Sequence, residues 1–368
     1  MREIGGIAMR KQRAARQSQE QARERTGDAR DVKPLDHTEC AAPDPVQAEA
    51  LWYVAPRCAR LKGETLRPRE RDELLIATSW SAVSRGTERM IYDGLTDPVH
   101  RGCMRAPMQS GEFPFPVKYG YCAVGRVAAG PDPLLGRDVF ALHPHQDRFL
   151  IAADQAMLVP RDVPARRATL AANMETALNA LWDSGAGAGD RIVVVGAGLV
   201  GLLIVYLAAQ LPGADVTALD PCAQRRPIVE SFGARFSAAP GPIAEADVVF
   251  HASATSEGLS AAIGCCGHSA TLVEVSWYGD KPVTVELGGP FHAKRLRLLS
   301  SQVGAVPPER QPRWTLKRRL AKALDLLADP RLDALITDEV AFADLPHSLD
   351  RILGARPDAV ATVVRYSA

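Results

Sequence analysis

The run Val193-Val194-Val195-Gly196-Ala197-Gly198-Leu199-Val200-Gly201 constrains this chain more than any other stretch. Three valines favour a buried strand, and Leu199 to Gln210 is apolar enough for a helix. Between them the glycines keep the G-x-G-x-x-G spacing in the strand-to-helix context that gives it meaning. Gly196 suits a tight turn, Gly198 lets the backbone approach a pyrophosphate, and Gly201 allows close helix-on-strand packing. The amides of Leu199 and Val200 then open a helix toward the phosphates. Asp220 closes the following strand, where a carboxylate accepts from ribose hydroxyls and repels a 2′-phosphate. NAD(H) is therefore the expected cofactor. Arg225 and Arg226, in the next helix, weaken that preference because an arginine can pair with such a phosphate.

Around this motif the rhythm is strand, helix, strand, helix. After Arg191–Val195 come strands at Val216–Leu219, Asp247–His251 and Ala270–Val275, with helices at Ala223–Phe232 and Glu257–Ile263. Such alternation implies a parallel sheet covered on both faces, an α/β class of fold. Before Arg166 the signals are short β-type runs (Leu51–Val54, Glu73–Thr78, Val124–Val127, Asp138–Leu142) and few helical ones, which suggests a mostly antiparallel β unit. Near the end come an amphipathic helix at Leu316–Leu327, a helix at Ala343–Leu353 and a last strand at Ala359–Tyr366. The expected divisions are a flexible tail over 1–48, a β-rich unit over 49–165, a dinucleotide-binding unit over 166–310, and a return to the first unit over 311–368.

With 368 residues, two domains are expected. Lys and Arg number 44 against 43 Asp and Glu, so no electrostatic case exists for nucleic acid. No apolar run is long enough to span a membrane. Seven cysteines without a C-x-x-C pair argue against a disulfide framework or zinc knuckle. Cys265 and Cys266 read as structural. The basic N-terminus lacks an apolar secretory core, so a cytoplasmic setting is expected.

Val83-Ser84-Arg85-Gly86-Thr87-Glu88, Tyr119-Gly120-Tyr121-Cys122-Ala123-Val124-Gly125 and Thr176-Ala177-Leu178-Asn179-Ala180-Leu181 together resemble the medium-chain dehydrogenase/reductase superfamily over roughly Leu51 to Tyr366. The resemblance implies a GroES-like β-rich catalytic domain plus a Rossmann domain, with Thr176 on the cofactor side. It also implies catalytic zinc, but the ligand positions hold Arg85, Tyr121 and Ala172, and the cysteines of a structural lobe are absent. The chain thus resembles a zinc-independent branch. Its S-x-G-T-E with G-Y is most similar to the bacteriochlorophyllide hydroxyethyl dehydrogenases, which oxidise a secondary alcohol on a tetrapyrrole with NAD.

Without metal, side chains must manage the substrate oxygen. Tyr121 can donate to a carbonyl or, if a charge such as Arg85 lowers its pKa, accept a proton. The plainer reading has Tyr121 filling space while Arg85 pairs with Glu88. Ser84 belongs to the same motif. His143 and His145 could relay a proton, although a surface-loop pair is the commoner meaning of such spacing. Glu175 reads as a charge on a helix N-terminus. Trp277 and Tyr278 follow a parallel strand where ligands gather, and could wall the pocket. The expected function is an NAD(H)-dependent alcohol/ketone oxidoreductase acting on a small molecule as a homodimer. The alternatives are an NADPH-dependent quinone or enone reductase and a non-catalytic nucleotide-binding protein.

Overall fold

The computed structural model describes residues 45–367 apart from 97, 100, 240–244, 280 and 355–358. The expected tail lies outside these residues as far as 44, and beyond that point the first strand already starts at Gln47.

Arg191–Val195 is the centre of a six-stranded parallel sheet. Its order is Arg235–Ser237, Asp215–Leu219, Arg191–Val195, Ala246–His251, Cys266–Glu274, Arg297–Ser300. Chain order runs outward in both directions from Arg191–Val195, so the strand order reverses beside it. Such a switch point leaves a crevice at the strands' C-terminal ends. The helix Leu199–Ala208 leaves the glycines there and is buried from Gly201 to Ala208. Burial all round is what its uninterrupted apolar sequence requires. Cys265 ends the helix Ser256–Cys265 and Cys266 begins the next strand, both buried, in agreement with a structural role.

The β-rich part contains two sheets. One has the order Cys58–Thr65, Gln47–Ala55, Val117–Lys118, Ser110–Gly111. The other runs Ile336–Ala341, Ala361–Arg365, Glu73–Val83, Ala123–Ala129, Asp138–Ala141, Met157–Leu158, with Arg148–Ala152 also on Glu73–Val83. Pairing is antiparallel except between Ile336–Ala341 and Ala361–Arg365. The return to this sheet thus begins at Ile336 rather than at 311. The preceding helix, Leu316–Leu326, packs on the helix Ala171–Ser184. Arg319, 1% exposed, joins the two by donating to Glu175 Oε1 at 3.0 Å, and its guanidinium also reaches the Val303 and Ala305 carbonyls. Glu175 therefore sits in the second turn of its helix as the partner of a buried arginine, not as an N-terminal charge.

One helix was not expected. Arg85–Asp93 follows Ser84 and ends at Gly94, whose φ of 75° supplies the left-handed turn that stops it. It buries Glu88, Met90, Ile91 and Tyr92, and it carries half of the candidate site.

Candidate active site

At the glycine loop the backbone decides everything. Gly196 holds φ 103°, and a Cβ there would lie 2.8 Å from the Ala252 carbonyl carbon and the Ser253 nitrogen. A Cβ on Gly201 would collide with the Gly196 carbonyl. Gly198 is the N-cap of the helix, and a Cβ on it would meet nothing within 4 Å. Two glycines are thus demanded by protein packing, while the third faces open space, as a phosphate-approach position must. Leu199 and Val200 follow it, half-buried, with helix-opening amides that have no intrahelical acceptor.

Asp220 ends beside this loop. Its Oδ2 accepts from the Ala197 amide at 2.7 Å and its Oδ1 from the Cys222 amide at 2.8 Å. Each oxygen keeps a second lone pair, so the carboxylate can brace the loop and still accept from ribose hydroxyls. These residues fit a dinucleotide. Arg225 Nη2 donates to the Ala359 carbonyl at 3.2 Å, and Thr176 Oγ1 donates to the Ala172 carbonyl at 3.0 Å within its own helix.

The second half of the site is made of hydroxyls. Tyr121 Oη makes a short hydrogen bond to Ser84 Oγ and lies 3.2 Å from Thr87 Oγ1. Burial and the field of Cys122 push the phenol well above its ordinary pKa, against the opposing pull of the Ser84 and Thr87 bonds. Tyr121 is therefore a protonated donor, not the phenolate that an adjacent arginine would create.

Arg85 reaches a distant backbone group. Its Nη2 donates to the Gly354 carbonyl at 2.7 Å. Burial, then the charges of Arg89 and Arg225, lower its pKa. Nor is Arg85 the recorded partner of Glu88. Glu88 is fully buried, and its Oε1 accepts from the Ser84 amide at 2.7 Å. Its Oε2 takes Tyr53 Oη at 2.8 Å and His145 Nε2 at 3.0 Å.

The histidine pair is buried, not a surface loop: His143 is 4% exposed and His145 1%. Since Glu88 accepts at Nε2, His145 Nδ1 is left to accept from Ser81 Oγ at 2.7 Å, and Ser81 also meets Tyr366 Oη at 3.0 Å. His145 thus supports Glu88 from behind. His143 stacks on Phe149 with ring centroids 3.7 Å apart, and burial pulls its pKa down to about 3. It takes no part in the hydroxyl cluster's recorded bonds.

Thr87 was overlooked as a site residue, although the G-T-E motif contains it. The missing signal was the helix itself, because only a helix starting at Arg85 brings Thr87 round to the same side as Ser84. Tyr278 turns its hydroxyl to Glu274 Oε2 at 3.0 Å, whereas Trp277 is 41% exposed.

Zinc needs three or four thiolate, imidazole or carboxylate ligands. A guanidinium, a phenol and a methyl group at Arg85, Tyr121 and Ala172 do not fit it. Among the described residues no group of three or more His, Cys, Asp or Glu is placed to hold a metal.

With this geometry in view, comparison with known proteins is informative. The L-idonate 5-dehydrogenase of Escherichia coli superposes with a TM-score of 0.71 at 14% identity, covering 87% of this chain and 98% of that one. The 2R,3R-butanediol dehydrogenase of Bacillus subtilis gives 0.69 at 16% identity, over 86% and 99%. The fold is the GroES-like plus Rossmann fold. In sequence, the D-guloside 3-dehydrogenase of Escherichia coli is 23% identical over 340 residues, 84% of this chain and 97% of that enzyme. No protein-family profile matches the chain. Among its described residues no helix is long and apolar enough to cross a membrane.

Proposed function

We propose that this chain is an NAD(H)-dependent oxidoreductase interconverting a secondary alcohol and a ketone, with hydroxyl groups where a metal would otherwise hold the substrate oxygen. The observation that carries the reading is the Tyr121–Ser84–Thr87 cluster, on a fold whose glycine loop is open for a dinucleotide. A bound nicotinamide supplies the carbon that gives or takes hydride. The chain does the rest. The Leu199 and Val200 amides would hold the pyrophosphate, and Asp220 would accept from the ribose. Tyr121, kept protonated, donates to the substrate carbonyl oxygen and yields its proton as that oxygen gains charge. Ser84 and Thr87 then donate to the phenolate oxygen left behind, and solvent returns the proton.

The substrate class is a secondary alcohol on a biosynthetic intermediate, a tetrapyrrole by the sequence resemblance or a glycoside by likeness to the D-guloside enzyme. A cytoplasmic homodimer is the setting we infer, to be checked by light scattering and fractionation.

Titration with NADH and NADPH, followed by turnover with both substrate classes, tests the reading. NADPH preference with turnover of quinones or enones would replace it, and tight dinucleotide binding without any turnover would leave a binding protein. Tyr121→Phe should lower kcat by roughly 10²–10⁴, the worth of a positioned acid, with cofactor affinity nearly unchanged. A kcat within a few-fold of the parent would remove Tyr121 from the chemistry. Elemental analysis of active enzyme should find no stoichiometric zinc. About one zinc per chain, with activity lost to a chelator, would sink the metal-free reading.

A further inference from the structure

The proposed reaction leaves unused a second set of polar groups at the C-terminal ends of two neighbouring parallel strands. His251 ends Ala246–His251 and lies in register with Glu274, which ends Cys266–Glu274. His251 is fully buried, with Nδ1 2.8 Å from Glu274 Oε2 and Nε2 2.7 Å from Ser253 Oγ. Burial raises the Glu274 pKa, but the hydrogen bonds from His251 and from the Ser276 amide at 2.8 Å bring it below the ordinary carboxylate value. An ionised carboxylate only accepts, so Nδ1 carries a proton, and in the neutral imidazole Nε2 presents its lone pair to Ser253. Ser253 must therefore donate its hydroxyl proton to His251. Tyr278 Oη gives Glu274 Oε2 a further donor at 3.0 Å and holds the carboxylate in place.

The surroundings of Ser253 are equally specific. It is half-buried, on the turn between a parallel strand and the helix Ser256–Cys265. Ala254, the next residue, holds φ 54°, a strained value for a residue with a Cβ. A Cβ on Gly258 would collide with Ser253 Oγ and lie 2.9 Å from His251 Nε2, so only glycine lets the helix approach this closely. Thr255 caps that helix by accepting from the Gly258 amide at 3.0 Å, and its hydroxyl is 3.2 Å from Ser253 Oγ. The Ala254 amide is taken by Ser276 Oγ at 3.1 Å. Help for a developing oxyanion therefore falls to the first turn of the helix, whose leading amides have no intrahelical acceptors.

We propose that Ser253, His251 and Glu274 form a nucleophile–base–acid relay that makes Ser253 an acyl-accepting serine toward small activated esters. In the first step Ser253 Oγ bonds to the acyl carbon while His251 Nε2 takes the hydroxyl proton. The carbon–oxygen bond to the alcohol then breaks, and the alcohol leaves with that proton. Water next attacks the acyl carbon, gives a proton to His251 and releases the carboxylic acid. As the bond from Ser253 Oγ to the acyl carbon breaks, the oxygen takes from His251 the proton that water supplied, and no oxidant or reductant is consumed. None of these three residues is given a part in hydride transfer, but Ser253 adjoins Gly196 of the glycine loop, so the reaction is expected of the dinucleotide-free chain.

The test is to treat the full chain with a fluorophosphonate probe and p-nitrophenyl acetate, without dinucleotide. One phosphonyl adduct per chain should form and map to Ser253 by peptide mass spectrometry. Ester hydrolysis should fall at least about tenfold in Ser253→Ala, a lower bound on the usual worth of the attacking group. An adduct at another residue, or labelling no faster than that of the heat-unfolded chain, overturns the proposal. His251→Gln should slow labelling by roughly 10²–10⁴, the range for a general base. Since His251 is buried and that variant could misfold, Glu274→Gln provides a second reading: a labelling rate equal to the parent's overturns the relay.

Discussion

The two halves of the candidate site are held by different physics. At the glycine loop the constraint is the backbone, because Gly196 and Gly201 leave no room for a single added carbon. At the hydroxyl cluster every functional atom belongs to a side chain, and the fully buried Glu88 carboxylate holds the Ser84 amide from below while bonding Tyr53 and His145. Covalent geometry fixes the first half over a span of a few residues. The second exists only when Tyr53, Ser84, Glu88, Tyr121 and His145 have all been brought together. The contrast predicts that the first half fails by steric blockade at single positions, whereas the second loosens by degrees and responds to protons.

The largest effect should come from the loop. Gly198→Leu puts a side chain into the space left for a phosphate, so NADH affinity should drop at least about a thousandfold, near 4 kcal/mol. Unfolding should be unchanged within roughly 1 kcal/mol, because nothing in the fold occupies that space. Unaltered NADH binding by calorimetry would break the comparison at its firmest point.

Acid should act on the β-rich part, through a histidine beside the side-chain network, rather than on the glycine loop. His143 is neutral in the folded chain down to about pH 3, whereas an unfolded histidine takes up a proton near pH 6.5. Its contribution to stability is complete above the unfolded pKa and is lost progressively as the pH falls toward the folded value. The loss amounts to roughly 3–5 kcal/mol between those limits. Denaturant melts between pH 7 and pH 4 should show this slope, and His143→Phe should flatten it. A slope that survives the substitution would assign the acid sensitivity to other groups.

The smallest effect is the most diagnostic of the network. Glu88→Gln preserves shape but leaves one accepting oxygen, so its amide nitrogen must face either the Ser84 amide or the pair Tyr53 Oη and His145 Nε2, and at least one buried bond is lost. A destabilisation of about 1–3 kcal/mol is expected, together with a fall in kcat larger than any rise in KM for substrate. Loss of stability with kcat intact would show that Glu88 supports the fold without positioning Ser84.

This division also explains which features could be read from the residues alone. The strand Arg191–Val195, the three glycines and Asp220 were legible because they fall at fixed spacings along a short strand–turn–helix–strand stretch. The Arg85–Asp93 helix escaped notice because Gly86 and Thr87 are poor helix formers in its first turn. What secures its start is the Glu88 carboxylate reaching back to the Ser84 amide, one residue later than the familiar capping spacing. The Arg85–Tyr121 pairing was inferred from alignment position, which says where a Cα lies but not where a long side chain turns. Arg85 instead reaches Gly354, a residue 269 positions away, and no periodicity announces that. The buried state of His143 and His145 was equally silent, since their partners Phe149, Ser81 and Glu88 are recognisable only once the sheet exists.

The strand Ala361–Arg365 lies between Ile336–Ala341 and Glu73–Val83, and this has a consequence for how the molecule is made. The strands of the parallel sheet all fall between residues 191 and 300, so the ribosome delivers that sheet as one uninterrupted length. The other sheet must wait with Glu73–Val83 unpaired along part of one edge until about 280 residues later in synthesis, a long loop to close. The glycine loop's sheet is therefore complete on the nascent chain before the hydroxyl cluster's sheet can close.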